Sequence, residues 1–265
     1  MMQYNACMIF ISTLYKTILD ALFPLSWAEY EMLSLSPEDA LGKLPPAPDY
    51  SGLAVDMPNA QSVFAYKDER VAKMIWHIKY KKSAHAVQIG GYALWKRLVT
   101  TAAGVRRAVL RDTPSTSAEV AAGSPSPSLS PKRPENSLPP PAAVVIPMPI
   151  TNRRRKERGY NQCELLTDEM ERLEQTNDYS RFTVRKDILF RTHHATRQTL
   201  KGRHERVESA KGIFGVRRNV ITPELLRAKI IVIDDVITTG STMYEAIETL
   251  GAAGFSDVGA ISLAH

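Results

Sequence analysis

The residues of this chain best suited to chemistry lie in one run, IIVIDDVITTGSTMYEAIETL, from Ile230 to Leu250. Adjacent carboxylates at Asp234 and Asp235 are followed by Val236 and Ile237. Then comes a hydroxyl–glycine–hydroxyl stretch: Thr238, Thr239, Gly240, Ser241 and Thr242. If a helix begins here, its first turn leaves backbone N–H groups without partners, and the helix dipole adds partial positive charge at that end. Gly240 lets the backbone approach a ligand closely, and the flanking hydroxyls can donate to a tetrahedral anion. The two aspartates would repel a phosphate at their own position, so they must face something else. A ribose diol fits, because one carboxylate can accept from two neighbouring hydroxyls. A metal ion held through water is the other use for such a pair. The run is shaped for a sugar carrying a phosphate at one end.

Elements must hold these groups in place. Ile230 to Ile233 are apolar and β-branched without alternation, the pattern of a strand covered on both faces in a parallel sheet. Strand 229–234 is therefore predicted to end abruptly at the aspartates, where open α/β sheets bind ligands. Met243, Ala246, Ile247 and Leu250 follow at helical spacing. An aspartate pair of the receiver-domain type, or a plain strand–turn–helix capped at Thr239 or Ser241, would leave the hydroxyl–glycine–hydroxyl run unexplained. Further strands are predicted at 143–147, 188–192 and 257–263, the last after Gly254 ends the preceding helix. The fold class is α/β: a mainly parallel twisted sheet flanked by helices, with a small N-terminal hood over its carboxyl edge.

At 265 residues and 44% hydrophobic, the chain has ample material for a core. Cys7 and Cys163 are its two cysteines. They provide neither a disulfide framework nor a four-cysteine zinc site, and they suit a reducing, cytoplasmic setting. The charge is local. Residues 153–158 carry five bases and one acid, +4, and residues 191–218 carry eight bases and two acids, +6; together these exceed the whole-chain +6. Two basic clusters placed after strands of one sheet suggest a cleft for a polyanion.

Four segments follow from composition. Residues 1–60 read as a helix and connector. Ile11, Leu14, Ile18 and Leu22 form an amphipathic face, too interrupted for stable membrane insertion, and Ser36-Pro37-Glu38-Asp39 opens a short helix. Residues 61–110 read as the hood, with a strand-like Val63 to Tyr66. A helix capped by Asp68 carries Val71, Met74, Ile75 and Ile78, and a second helix runs from Ala84 to Leu98. His77 and His85 read as helix-surface histidines without acidic partners, and Lys79 to Lys82 as a solvated face that could border an anion site. Residues 111–141 hold eight of the 17 prolines and read as a disordered insert. Residues 142–265 form the core.

The run from Ile230 to Thr242 resembles the phosphoribosyl-pyrophosphate (PRPP) motif of type I phosphoribosyltransferases: an apolar stretch, two acids, two variable positions, then Thr-Thr-Gly-Ser-Thr. Upstream stand Val145-Ile146-Pro147-Met148-Pro149 and the run Arg153 to Gln162, which includes Arg158-Gly159-Tyr160-Asn161. Then come Arg191-Thr192, Gln198, Leu200 and Arg203. With these the chain is similar to the ComF/GntX family of phosphoribosyltransferase-fold proteins associated with competence and DNA uptake. The resemblance covers roughly residues 62–99 and 142–265. Many members begin with a cysteine zinc ribbon, which this sequence does not contain.

The resemblance implies roles. Asp234 and Asp235 would hold the ribose hydroxyls and, through water, Mg²⁺, while Val236 and Thr238 to Thr242 would line and cradle the 5′-phosphate. The loop Pro147 to Arg154, with Pro149, Ile150, Arg153 and Arg154, would bind pyrophosphate, its Met148–Pro149 bond expected trans. Residues 192–214 would be a closing loop whose Arg197 and Lys201, with Arg203, neutralise departing pyrophosphate. The implied reaction transfers ribose 5-phosphate to a nucleophile. The residues do not declare that acceptor. A rival class uses the same fold as a platform for single-stranded DNA or for sensing PRPP without turnover, in contact with competence machinery. A homodimer stays open.

Overall fold

The computed structural model describes residues 25–48, 57, 59–111, 143–176, 181–192 and 212–265. The amphipathic segment before Leu25, residues 112–141 of the insert, and Arg197, Lys201 and Arg203 lie outside them.

The centre is a five-stranded sheet with the order β1–β7–β6–β2–β3, every neighbouring pair parallel. Its strands are β1 (Ala60–Phe64), β2 (Ala143–Pro147), β3 (Phe182–Val184), β6 (Lys229–Val236) and β7 (Val258–Ala264). This matches the expected α/β class and is consistent with a type I phosphoribosyltransferase-like fold. Strand β6 sits in the middle of the order. Its Ile231 and Ile233 face one apolar core and its Ile230 and Val232 the other, which is why the run reads as apolar without alternation. It extends past the expected end, through Asp235 to Val236, because Val236 still pairs with Ala264 of β7.

The first core lies under α1 (Trp27–Ser34), α2 (Pro37–Lys43), α3 (Glu69–Trp76), α4 (Ala84–Arg111) and α6 (Gln162–Glu174). Local chemistry sets these helices. Ser36 accepts from Asp39 N at 3.1 Å to open α2, and Asp68 accepts from Arg70 N at 2.9 Å to open α3, as the sequence predicts. Helix α4 runs well beyond the expected Leu98. It approaches α6 closely: a Cβ at Gly90 would lie 2.8 Å from Leu166 Cδ2, and one at Gly91 would lie 2.5 Å from Glu169 Cγ. Glycine is the residue that permits this contact.

One expectation is corrected. Residues 188–192 do form a strand, β4 (Leu189–Arg191), but it pairs antiparallel with β5 (Phe214–Val216) in a separate two-stranded unit, outside the parallel sheet. Three residues are too short a run to show whether a partner is parallel or antiparallel. The region expected as a hood carries β1, an edge strand hydrogen-bonded to β7, and α4, which packs on α6. The second core holds α8 (Ser241–Ala252) against β5, β6 and β7, with α7 (Pro223–Leu226) at its margin. Among the described residues, no helix is long and apolar enough to cross a membrane.

Candidate functional site

A cleft of about 750 Å³ opens at the carboxyl end of β6 and β2, within the range of sites for nucleotide-sized ligands. Three loops build it. The end of β6 and its loop to α8 contribute Asp234 to Gly240, the loop from β2 to α5 (Asn152–Arg158) contributes Met148 to Thr151, and the segment after α3 contributes Lys79 and Tyr80. Tyr66, Arg153, Arg154, Glu157, Arg158, Gln162, Arg191, Thr242 and Met243 complete the wall.

Helix α8 begins at Ser241, and its N-cap is Gly240, with φ 81° and ψ −14°. That left-handed conformation is inexpensive for glycine and costly for residues with a Cβ. No side chain caps the helix. Thr239 Oγ1 and Ser241 Oγ instead lie 3.1 Å from each other, so the first-turn amides keep the dipole's positive end open toward the cleft. A cap by Thr239 or Ser241 is thereby ruled out.

The two aspartates go to opposite faces of the sheet, as successive strand residues must. Asp234 Oδ1 accepts from Asp235 N at 2.8 Å and from the Cys163 thiol at 3.4 Å. Burial, followed by the neighbouring Asp235 charge, pushes Asp234 up to about 7. Cys163 is fully buried at the start of α6, and burial with the aspartate charges raises its thiol well above the ordinary value. Asp235 is 4% exposed. Its Oδ2 lies 3.2 Å from Lys79 Nζ yet makes no hydrogen bond.

Thr151 opens α5, its Oγ1 accepting from Arg154 N at 3.2 Å, and Gly159 closes it at φ 79°. The helix buries none of its residues, so Arg153, Arg154 and Arg158 stand in the cleft wall. Arg153 pairs with Glu157 at 2.5 Å, and the Arg158 guanidinium lies 5.0 Å from the Tyr80 ring centre, within cation–π range. The Met148–Pro149 bond is trans, and Met148 O accepts from Asn161 Nδ2 at 3.0 Å. Arg191, at the end of β4, reaches the same space. Burial and the Arg154 charge hold its guanidinium below the ordinary value, against the pull of Asp234.

The structure therefore gathers Asp234, Asp235, Val236, Thr238, Thr239, Gly240 and Thr242 with Pro149, Ile150, Arg153 and Arg154 around one cleft. Ser241 sits at its edge as the first residue of α8. Cys163, Lys79, Tyr80 and Arg191 were not singled out as site residues from the sequence. Lys79 lay in a run flagged as bordering an anion site, but nothing marked Cys163, whose contact with Asp234 spans 71 positions. His77 is also not a surface histidine. It is 8% exposed and its Nε2 lies 2.6 Å from Glu29 Oε1, 48 residues earlier.

Among the described residues no group of three or more His, Cys, Asp or Glu is placed to hold a metal ion. With Asp234 and Asp235 on opposite faces, the donors fit a cation that arrives bound to a diphosphate and touches the carboxylates through water. They do not fit a resident ion in an all-protein cage.

No protein-family model matches the chain. The chain is similar to competence protein F of Haemophilus influenzae (strain ATCC 51907 / DSM 11121 / KW20 / Rd), 29% identical over 122 residues, 46% of this chain and 50% of that protein. It thus spans about half the length of this curated relative. The similarity supports membership of the ComF family.

Proposed function

From this ComF relationship, we propose that the cleft binds PRPP, or a related ribose 5-phosphate, with Mg²⁺, and transfers the phosphoribosyl group to an acceptor in a role linked to competence. One observation carries the reading. The uncapped start of α8, with Gly240 left-handed, lies directly after two carboxylates at the end of a central strand, in a cleft walled by arginines. The α8 amides and the hydroxyls of Thr238 to Thr242 take the 5′-phosphate. Asp234 and Asp235 take the ribose hydroxyls, Asp235 Oδ2, which makes no hydrogen bond among the described residues, accepting from one of them. The Pro149–Ile150 loop with Arg153 and Arg154 takes the diphosphate.

In the reaction the C1–O bond to diphosphate breaks, its electron pair leaving with the diphosphate, and a lone pair of the acceptor forms the new bond at C1. Mg²⁺ bound to the diphosphate would offset charge on the leaving group. Charge also develops at the arginines' side of the cleft, so the exposed Arg153 and Arg154 and the more buried Arg191 stabilise the departing anion. The carboxylates opposite hold the ribose as it gains positive character.

A second reading rests on α5, whose Arg153, Arg154, Arg155, Lys156 and Arg158 stand on a helix with no buried residue, a surface suited to single-stranded DNA. Calorimetric titration with PRPP and Mg²⁺ separates the two, repeated with an Asp234→Asn/Asp235→Asn variant and with single-stranded DNA. Micromolar PRPP affinity lost in the variant is the expected result. No PRPP affinity, with DNA affinity falling at a log–log salt slope of roughly 0.7 per phosphate contacted, would transfer the protein to the DNA-handling class.

A further inference from the structure

Helix α3 does not end as an ordinary α-helix. It widens into a π-helical turn, His77–Lys81, closed by Lys82 at φ 49°, the one positive φ outside glycine among the described residues. Single π turns cluster at functional sites because they redirect side chains that a regular helix would space evenly. This one sends Lys79 and Tyr80 into the cleft. The turn is anchored at its first two residues. His77 is held on Glu29 of α1 at 2.6 Å, and the Ile78 carbonyl accepts from Tyr160 OH at 2.9 Å, across from the α5–α6 connection. With the backbone fixed, the movable part is the Lys79 side chain, a flexible stem ending in three donors.

Its present contact is incomplete. Lys79 Nζ lies 3.2 Å from Asp235 Oδ2, with the side chains 22% and 6% exposed, but among the described residues that carboxylate oxygen makes no hydrogen bond. A hydroxyl can donate directly to that oxygen and keep it satisfied if the ammonium leaves. Position indicates what Lys79 would meet once released. Helix α8 packs on the second core, while α3 and Ile78 belong to the first. Lys79 therefore approaches from the sheet face opposite the phosphate cradle, toward the other end of a ribose laid across the strand termini.

We propose that Lys79 is a partner-exchanging cation, neutralising Asp235 in the empty cleft and moving to the diphosphate of the ligand when a ribose hydroxyl takes Asp235 over. This rests on the ribose-phosphate reading of the cleft. It makes the ribose and diphosphate cooperate: the sugar frees the cation that the diphosphate needs. Free diphosphate brings no hydroxyl to Asp235 and so finds Lys79 occupied.

The test is calorimetric titration at fixed Mg²⁺ with three ligands: PRPP, ribose 5-phosphate and inorganic pyrophosphate. It compares wild type, Lys79→Met, Lys79→Arg, Asp235→Asn and the Asp235→Asn/Lys79→Met double variant, with circular dichroism confirming that each is folded. Lys79→Met is expected to weaken PRPP by about tenfold, the equivalent of ~1.4 kcal/mol, and to leave ribose 5-phosphate within about threefold. Lys79→Arg should retain most of the PRPP affinity. Asp235→Asn should bind PRPP less tightly but inorganic pyrophosphate more tightly, and that gain should vanish in the double variant, where no cation is freed. An equal gain with and without Lys79 would mean simple loss of repulsion and overturn the exchange, as would unchanged PRPP affinity in folded Lys79→Met. Wild type that binds none of the three ligands would instead remove the ribose-phosphate reading itself.

Discussion

Replacing Asp234 by Asn should make the ligand-free protein more stable at pH 8 while removing its affinity for PRPP. Asp234 is a carboxylate at the end of a buried strand with a second carboxylate beside it, and its donors are one backbone amide and a thiol. The folded protein keeps this proton up to about 7, whereas an ordinary aspartate loses it near 3.8. Between those values the native state binds more protons than the unfolded state, so stability falls as pH rises through the window. At ~1.4 kcal/mol per pH unit the ceiling is about 4 kcal/mol. Relaxation and water entry around the cleft should reduce this to about 2 kcal/mol, or roughly 4–8 °C in Tm. Asn keeps an Oδ1 for both donors and carries no charge. Thermal unfolding in EDTA from pH 3 to 8.5 is the assay: wild type should lose Tm across the window, the variant should not, and the curves should converge below about pH 4, where the unfolded aspartate is protonated too. A variant less stable than wild type at pH 8, or one with the wild-type pH slope, would refute the placement of Asp234 as a strained carboxylate awaiting a ligand.

Gly240→Ala forces a side chain into φ 81° and should cost about 1 kcal/mol of stability. It should also weaken PRPP by roughly tenfold, and urea unfolding with parallel titration would show an error if both were unchanged. Thr151→Ala removes the cap of α5 and should cost about 1 kcal/mol, with PRPP affected more than ribose 5-phosphate because Arg153 and Arg154 lose their fixed start; equal losses would count against the pyrophosphate assignment. Cys163, with Cys7 replaced by Ser, should resist a disulfide reagent at pH 8 in native protein and react fully in denaturant. Rapid native labelling would contradict its burial beneath Asp234. Tyr160→Phe deletes the bond to the Ile78 carbonyl and should lower stability by about 1 kcal/mol, read by the urea midpoint.

Much of this architecture is legible in the chain because it is locally coded. The unalternating Ile230 to Ile233 run declares a strand buried on both faces, and Ser36 and Asp68 declare helix starts through bonds spanning two or three residues. Gly240 between hydroxyls marks the turn. The boundary of β6 was misjudged because carboxylates look like a stop, whereas pairing of Val236 with Ala264 carries the strand past them. The parallel sheet was wrongly credited with 188–192, since a three-residue strand reveals its partner only through the hydrogen bonds between Leu189–Arg191 and Phe214–Val216.

By itself the sequence determined the α/β class, the strand–turn–helix from Ile230 to Leu250, and the basic clusters, all of which depend on neighbours within a few positions. The tertiary structure alone decided that Asp234 rests on Cys163, that Asp235 faces Lys79, that His77 is buried on Glu29, and that Arg191 enters the cleft. Burial and electrostatic coupling act through space. Groups far apart in the chain can set a carboxylate's proton affinity at 3–4 Å, and no local pattern records that distance.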